Sequence, residues 1–183
     1  MNEAGKKVVL LGVTGSIAAY KSCEMIRLFR HKGYEVRCVM SRDADKFITR
    51  LTLETLSGKE AFSDMFRMPD KRKPEHISLA EEADIILIAP ATADIIAKTA
   101  AGLCDDLLSC VICAYKGPVV FAPAMNDNMF DNPIIQDKIE YLRNKGYYFV
   151  SPVKGPLACG KTGIGHLAPV ETIVLETEKI LAL

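Results

Sequence analysis

The sequence contains no tryptophan, only three histidines and no surplus of either charge, with 23 lysines and arginines against 23 aspartates and glutamates. A chain with no net field lacks the electrostatic means to gather a polyanionic nucleic acid or an anionic membrane surface. The nearest thing to a basic patch, Lys71-Arg72-Lys73 between Pro69 and Pro74, reads as a solvated loop. Long apolar runs are missing as well: Ile85 to Ala93 is bracketed by Asp84 and Asp94 and falls far short of the roughly 20 residues of a membrane span. Met1 to Lys7 has no basic-then-apolar leader pattern, so a cytoplasmic location is expected, with the cysteines mostly reduced and buried. Internal repeats and low-complexity segments are also lacking. Cys110 and Cys113 form a C-x-x-C without a second ligand pair, which excludes a convincing zinc site, and no metal is expected.

What is present is an ordinary globular composition, 49% hydrophobic with 12 glycines and 9 prolines in 183 residues, enough for one compact domain. Short β-branched runs alternate with segments of helical period, the pattern of parallel strands joined by crossover helices. Strands are expected at Lys7 to Leu11, Glu35 to Met40, Ile85 to Ala89, Val119 to Ala122 and Tyr147 to Val150. A helix is expected from Ser16 to just before Gly33, with others over Ala93 to Ala100, Asp106 to Cys113 capped by Asp105, Pro133 to near Gly146, and Val170 to Leu183. Ser63 to Glu75 and Pro152 to Pro169 read as irregular, and loops of that length tend to be functional or mobile.

In an open parallel sheet the ligand lies beyond the carboxyl ends of the strands, so the residues after each strand carry the functional information. The first is followed by GVTGSIAAYK, Gly12 to Lys21, where Gly12 and Gly15 permit a tight turn and Ser16 opens a helix able to hold a phosphate. This is not G-x-G-x-x-G, and no acidic residue follows the second strand to hold a ribose, so a mononucleotide such as FMN fits better than a dinucleotide; a plain strand-to-helix turn fits equally well. After the third strand comes PATADIIAKTAAG, and after the fourth PAMNDNMFDNP, whose Asn126 amide either serves the turn or holds a carboxylate. His76 opens a helix close in sequence to the third strand, His31 sits near a helix end, and His166 lies in the second irregular stretch, either exposed or facing substrate. Cys159, in LACGKTGIGHLAP, is an accessible thiol among glycines; Cys23, Cys38, Cys104, Cys110 and Cys113 read as packing residues.

Taken together, GVTGSIAAYK, His76 in HISLAEEAD, PATADIIAK, PAMNDNMF and Ala158-Cys159-Gly160 resemble, in order and spacing over nearly the whole chain, the homo-oligomeric flavin-containing cysteine decarboxylases. The resemblance implies an α/β, flavodoxin-like (Rossmann-type) doubly wound parallel sheet in a single domain spanning 1–183, with a mobile substrate loop at 152–169. It implies FMN held by Gly15, Ser16, Ile17, Ser41, Thr92, Ala93, Asp94 and Ala124, with His76, Asn126 and Cys159 catalytic and Asn126, Met125 and Ala158 on the substrate. Asp94, Phe130 and Lys161 stand where Asn, Trp and Asp are usual in that family.

The chemistry so implied is oxidative decarboxylation of phosphopantothenoylcysteine in coenzyme A biosynthesis, followed by re-reduction to phosphopantetheine. Oxidation at the carbon bearing sulfur gives the departing carboxylate an electron sink. His76 suits proton handling there, Asn126 orients the carboxylate without a formal counter-charge, and Cys159 supplies the proton of the reductive step. The resemblance further implies a flavin lodged between subunits of a trimer, or of a dodecamer built from trimers. Because the chain stops at Leu183, the phosphopantothenate-cysteine ligase that makes the substrate is expected on a separate protein. Lys154 and Lys161 are candidates for the substrate phosphate. Rival readings are a peptidyl-cysteine decarboxylase, which lacks the ACG cysteine, a flavin prenyltransferase, which lacks the PAMN and ACG signals, and a flavin-binding regulatory subunit of a phosphatase, which usually carries long polar extensions.

Overall fold

A computed structural model of the protein describes residues 5–66 and 73–183. In chain order the elements are β1 (Val8–Val13), a 3-10 turn (Ile17–Lys21), α1 (Ser22–His31), β2 (Glu35–Met40), a second 3-10 turn (Ala44–Lys46), α2 (Arg50–Ser57), β3 (Ala61–Phe62), α3 (Glu75–Glu82) and β4 (Ile85–Ala91). There follow α4 (Ala93–Ala101), α5 (Leu107–Ala114), β5 (Val119–Pro123), α6 (Asp127–Phe130), α7 (Pro133–Asn144), β6 (Tyr148–Phe149), β7 (Val153–Pro156), β8 (Thr162–His166) and α8 (Val170–Leu181). Among the described residues β1 to β6 form a parallel sheet in the order β3-β2-β1-β4-β5-β6.

The central strands are buried on both faces, which is why β1 and β4 read as continuous apolar runs instead of alternating ones. Val9, Leu11 and Val13 of β1 point to the face covered by Met25, Ile26 and Phe29 of α1, Leu53 of α2, and Ile173 and Val174 of α8. Leu10 points to the other, where Leu79 of α3, Ile95 and Ile96 of α4, Leu107 and Val111 of α5 and Ile139 of α7 lie. The chain reverses its progress across the sheet between β1 and β4, so the loops leaving those strands diverge and open a crevice at their carboxyl ends.

That crevice is held by hydroxyls. Buried Thr14, just past β1, donates to the carbonyl oxygen of Pro90 at 2.6 Å and accepts from the amide of Thr92 at 3.1 Å. Ser22 donates to the carbonyl of Ala89 at 3.1 Å. These bonds satisfy backbone groups where the β4–β5 register shifts and the Ala89–Pro90 peptide is cis.

Several elements differ from the sequence expectation. The first crossover helix begins as the 3-10 turn before settling into α1. β3 and α2 were not expected: β3 has only two residues, and α2 carries two threonines in its short span. Asp106, not Asp105, caps α5: it has extended backbone, accepts from the Ser109 amide at 2.8 Å and forms a capping box, whereas Asp105 pairs with Lys98 at 3.1 Å. Residues 153–166 form an antiparallel hairpin of β7 and β8 where an irregular stretch was expected; VKGP and TGIGH lack the alternation that announces a strand. Of the cysteines assigned to packing, only Cys38 is buried; Cys23 and Cys110 are half-buried, and Cys104 and Cys113 are exposed. The period of α5 turns Leu107, Leu108, Val111 and Ile112 inward and leaves Cys110 and Cys113 on its outer flank. Lys71 and Arg72 lie outside the described residues. No described helix is long and apolar enough to cross a membrane.

Candidate functional site

At the crevice lies a cavity of about 580 Å³, bounded by the loop after β1, the start of α4, the β5–α6 turn and the β7–β8 hairpin. It brings together most of the residues singled out in the sequence: Gly15, Ser16, Ile17, Thr92, Ala93, Ala124, Met125, Asn126, Ala158 and Cys159 all line it. Gly15 is needed for packing, since a Cβ there would come within 2.7 Å of the Asp43 Cβ in the loop after β2.

Ser16 caps the 3-10 turn by accepting from Ala18 N at 3.3 Å, and Thr92 caps α4 by accepting from Ile95 N at 3.4 Å. Each hydroxyl therefore uses its oxygen as an acceptor and keeps its own proton for a ligand lining the same cavity. The β5–α6 turn is equally specific. Asn126 caps α6 with Oδ1, accepting from Asn128 N at 3.0 Å, which leaves Nδ2 to donate to the thiol of Cys159 at 3.6 Å. Asn126 is thus a turn residue through one end of its amide, while the other end points to the Cys159 thiol.

Cys159 reaches Asn126 because the hairpin folds over the cavity. Met125 N donates to Gly165 O at 3.0 Å, fixing β8 to the β5–α6 turn. At the tip Leu157 N donates to Lys161 O at 2.8 Å, and Gly160 takes a φ of 82°, the left-handed conformation suited to glycine, immediately after the thiol. His166, at the base of the hairpin, reaches along it, its Nδ1 lying 3.1 Å from the carbonyl oxygen of Pro156 near the tip.

Other expected residues stand elsewhere. Ser41 does not line the cavity; its amide donates to Val13 O at 2.9 Å beside it. Asp94 is exposed and pairs with Lys98 at 3.4 Å. Burial would pull the Lys98 pKa down, but Asp105, Asp94 and Asp106 outweigh it and hold the pKa above its ordinary value, so Asp94 belongs to that ionic cluster. His76 sits half-buried in the first turn of α3, outside the lining of this chain's cavity. Lys154 and Lys161 are exposed on the hairpin and do not line the cavity either. The sequence reading assigned no role to Tyr20, Lys21 and Met129, which do; Lys21 ends the quoted GVTGSIAAYK motif, so its proximity to the site was legible there.

The cavity fits a flavin mononucleotide. Ile17, Met125, Leu157 and Leu167 offer apolar walls to a planar ring, and the cap hydroxyls of Ser16 and Thr92 offer donors to a phosphate. A planar cofactor there would also rest against Ile17, Tyr20 and Met129, which are 62%, 55% and 48% exposed in the single chain.

Comparison with known proteins agrees with this arrangement. The model of a family described as Flavoprotein matches residues 1–182. A Bacillus subtilis protein, the coenzyme A biosynthesis bifunctional protein CoaBC, is 41% identical over 174 residues, 95% of this chain and 43% of that protein. The chain thus spans less than half the length of that relative. A Streptococcus mutans protein named as a probable phosphopantothenoylcysteine decarboxylase is 40% identical over 177 residues, 96% of this chain and 99% of that one. Among solved structures, a Cys-to-Ser mutant of PPC decarboxylase complexed with pantothenoylaminoethenethiol superposes with a TM-score of 0.89 at 32% identity, covering 97% of this chain and all of that one (100%). The FMN binding protein AtHal3 superposes with a TM-score of 0.84 at 33% identity, covering 95% and 96%.

Proposed function

The chain belongs to the Flavoprotein family, and we propose that it is an FMN-dependent decarboxylase of phosphopantothenoylcysteine, forming phosphopantetheine in coenzyme A biosynthesis. The observation that carries this reading is the pairing of the Asn126 amide with the Cys159 thiol at the mouth of a cavity suited to a flavin.

FMN bound there supplies a two-electron acceptor and donor, which lets a cysteinyl carboxylate leave without an unsupported carbanion. Ser16 and Thr92 hold the cofactor phosphate through their cap hydroxyls, and Gly15, Ile17, Ala93 and Ala124 shape the ring site. Asn126 orients the substrate carboxylate. A neutral amide does this without the ion pair that would stabilise the carboxylate against leaving. Met125 and Ala158, which line the same cavity, contact the substrate. Cys159, on the hairpin tip, delivers the proton that completes the saturated thiol product; the reaction as a whole changes no oxidation state. The hairpin acts as the cover that carries the thiol to the substrate.

His76 handles the substrate proton lost in the oxidative step. Since it stands outside its own chain's cavity, it serves the cavity of a neighbouring copy, in a trimer or a dodecamer of trimers. The exposed apolar side chains of Ile17, Tyr20 and Met129 at the cavity rim form the kind of patch that a second copy covers. The substrate is delivered by a ligase that joins cysteine to phosphopantothenate, and the enzyme works in the cytoplasm.

The test is direct. Purified protein should be yellow with a flavin absorbance and should release carbon dioxide from phosphopantothenoylcysteine; a colourless protein unable to take up FMN sinks the reading. Release of the unsaturated enethiol as the final product would point instead to the chemistry of a peptidyl-cysteine decarboxylase.

A further inference from the structure

We propose that His166 is a positioning residue: its imidazole straps the thiol-bearing tip of the hairpin to the anchored strand β8, and so sets how much of the turnover ends as the saturated thiol. This rests on the decarboxylase reading, which leaves His166 without a role.

The two strands of the hairpin are held unequally. β8 is fixed to the rest of the protein at Gly165, whose carbonyl accepts from Met125 N at 3.0 Å, and at Gly163, where a Cβ would come within 2.6 Å of Asp127 Oδ2. Among the described residues β7 pairs with β8 alone, and its Val153, Lys154 and Pro156 are exposed. The last residue of β7 is the root of the tip that carries Cys159, and as a proline it has no N–H to give to the ladder. The tip closes on itself, Leu157 N donating to Lys161 O at 2.8 Å and Gly160 N to Leu157 O at 2.9 Å, bonds that fix its shape but not its place.

His166 ties that root to β8. Its backbone stands opposite Val153, yet its Nδ1 lies 3.1 Å from the carbonyl oxygen of Pro156, three residues nearer the tip. A carbonyl oxygen only accepts, so Nδ1 carries the proton of this bond in the neutral ring and in the imidazolium alike. The ring runs over Gly155: a Cβ there would meet His166 Cγ at 3.0 Å and Cβ at 3.1 Å, so glycine at that position is what lets the imidazole lie along the hairpin. His166, Pro156 and Cys159 all line the cavity. With the root strapped, the thiol stays beside Asn126 at 3.6 Å. With the strap cut, the tip drifts from β8, and the enethiol left by the departure of carbon dioxide escapes before it is reduced.

The experiment purifies His166→Ala, His166→Phe and His166→Asn with FMN and measures by mass spectrometry the ratio of enethiol to saturated thiol formed from phosphopantothenoylcysteine. A partial loss of folded enzyme lowers both products together and does not move this ratio. Phe keeps a flat ring over Gly155 without the donor, and Asn keeps an N–H donor close to the place of Nδ1. Loss of one hydrogen bond should raise the ratio about 2- to 10-fold in the Ala and Phe variants, and Asn should return it towards the wild-type value. A wild-type ratio in the Phe variant overturns the proposal while leaving the decarboxylase reading intact. A ratio in the Asn variant as high as that in Ala also overturns it, since the ring would then act by something other than this bond. A wild-type protein that releases no carbon dioxide from the substrate overturns the functional reading, and this proposal with it.

Discussion

The Nδ2 of Asn126 donates to the Sγ of Cys159 at 3.6 Å, although the two residues lie 33 positions apart and on different elements. The contact joins a cap at the end of the parallel sheet to the tip of an antiparallel hairpin. It places a thiol and a side-chain amide side by side in the lining of one cavity.

If the thiol serves the second half of the reaction only, Cys159→Ser should separate the two halves. Carbon dioxide should be released at a rate within about threefold of wild type, since the serine hydroxyl keeps the hydrogen bond to Asn126 but is a far weaker proton donor. The product should be the unsaturated enethiol, read by mass spectrometry as about 2 Da lighter than the saturated thiol. Saturated product at the wild-type rate would remove Cys159 from the mechanism.

His76 allows a test of assembly. His76→Asn should keep its FMN and lose decarboxylation by about 100-fold or more, within the range for loss of a general acid or base. Because His76 lies outside its own chain's cavity, mixing subunits of His76→Asn with subunits of Cys159→Ser should rebuild sites having both groups. Recovery of saturated product in the mixed oligomer, absent from either variant alone, is the expected result. Sites contained within one chain would show no recovery.

Much of this was legible in the sequence, for physical reasons that differ by element. β1, β4 and β5 announced themselves because strands covered on both faces must be apolar throughout, and β2 did so by its β-branched and apolar residues despite Glu35 and Arg37. β3 did not, since a two-residue edge strand carries no period, and β7 and β8 did not, because glycines at 155, 163 and 165 are there for close approach. Asn126 and Cys159 could be picked out by residue type and setting, but their contact depends on the backbone bond from Met125 to Gly165, which no local pattern encodes. His76 was readable as a helix-start residue, whereas which cavity it serves is a matter of tertiary and quaternary arrangement.

Away from the site, Glu35 governs acid stability. It is 7% exposed and paired with Arg37 at 2.9 Å and Lys59 at 3.2 Å. Burial works to raise its pKa, but the hydrogen bonds and charges of Arg37 and Lys59 prevail and hold it below its ordinary 4.5. A carboxyl depressed on folding contributes stability that is complete above the unfolded pKa and is lost as pH falls through the folded value. The wild-type melting temperature should therefore drop as pH falls below about 4.5. Glu35→Gln should melt lower at pH 7, where Lys59 loses its carboxylate and Arg37 keeps only Glu82, and should show a flatter decline in acid. Parallel profiles for the two proteins from pH 7 to pH 3 would count against Glu35.

Gly165 tests whether the hairpin positions the thiol. A Cβ there would lie 2.2 Å from the carbonyl oxygen of Met125, which is backbone and cannot swing aside, whereas a Cβ at Gly160 would meet nothing within 4 Å. Gly165→Ala must push β8 away from the β5–α6 turn, stretching the Met125–Gly165 hydrogen bond and withdrawing Cys159 from Asn126. The cost should be about 1 to 3 kcal/mol, as for other overpacked contacts. Gly160→Ala should cost about 1 to 2 kcal/mol through its left-handed φ alone. Thermal melting will therefore hardly distinguish the two variants, but products will: Gly165→Ala should retain FMN and decarboxylation while shifting its product towards the enethiol, and Gly160→Ala should do so less. The order follows from where the strain falls, because a clash at the hairpin's anchor moves the whole strand while strain at its tip relaxes into solvent.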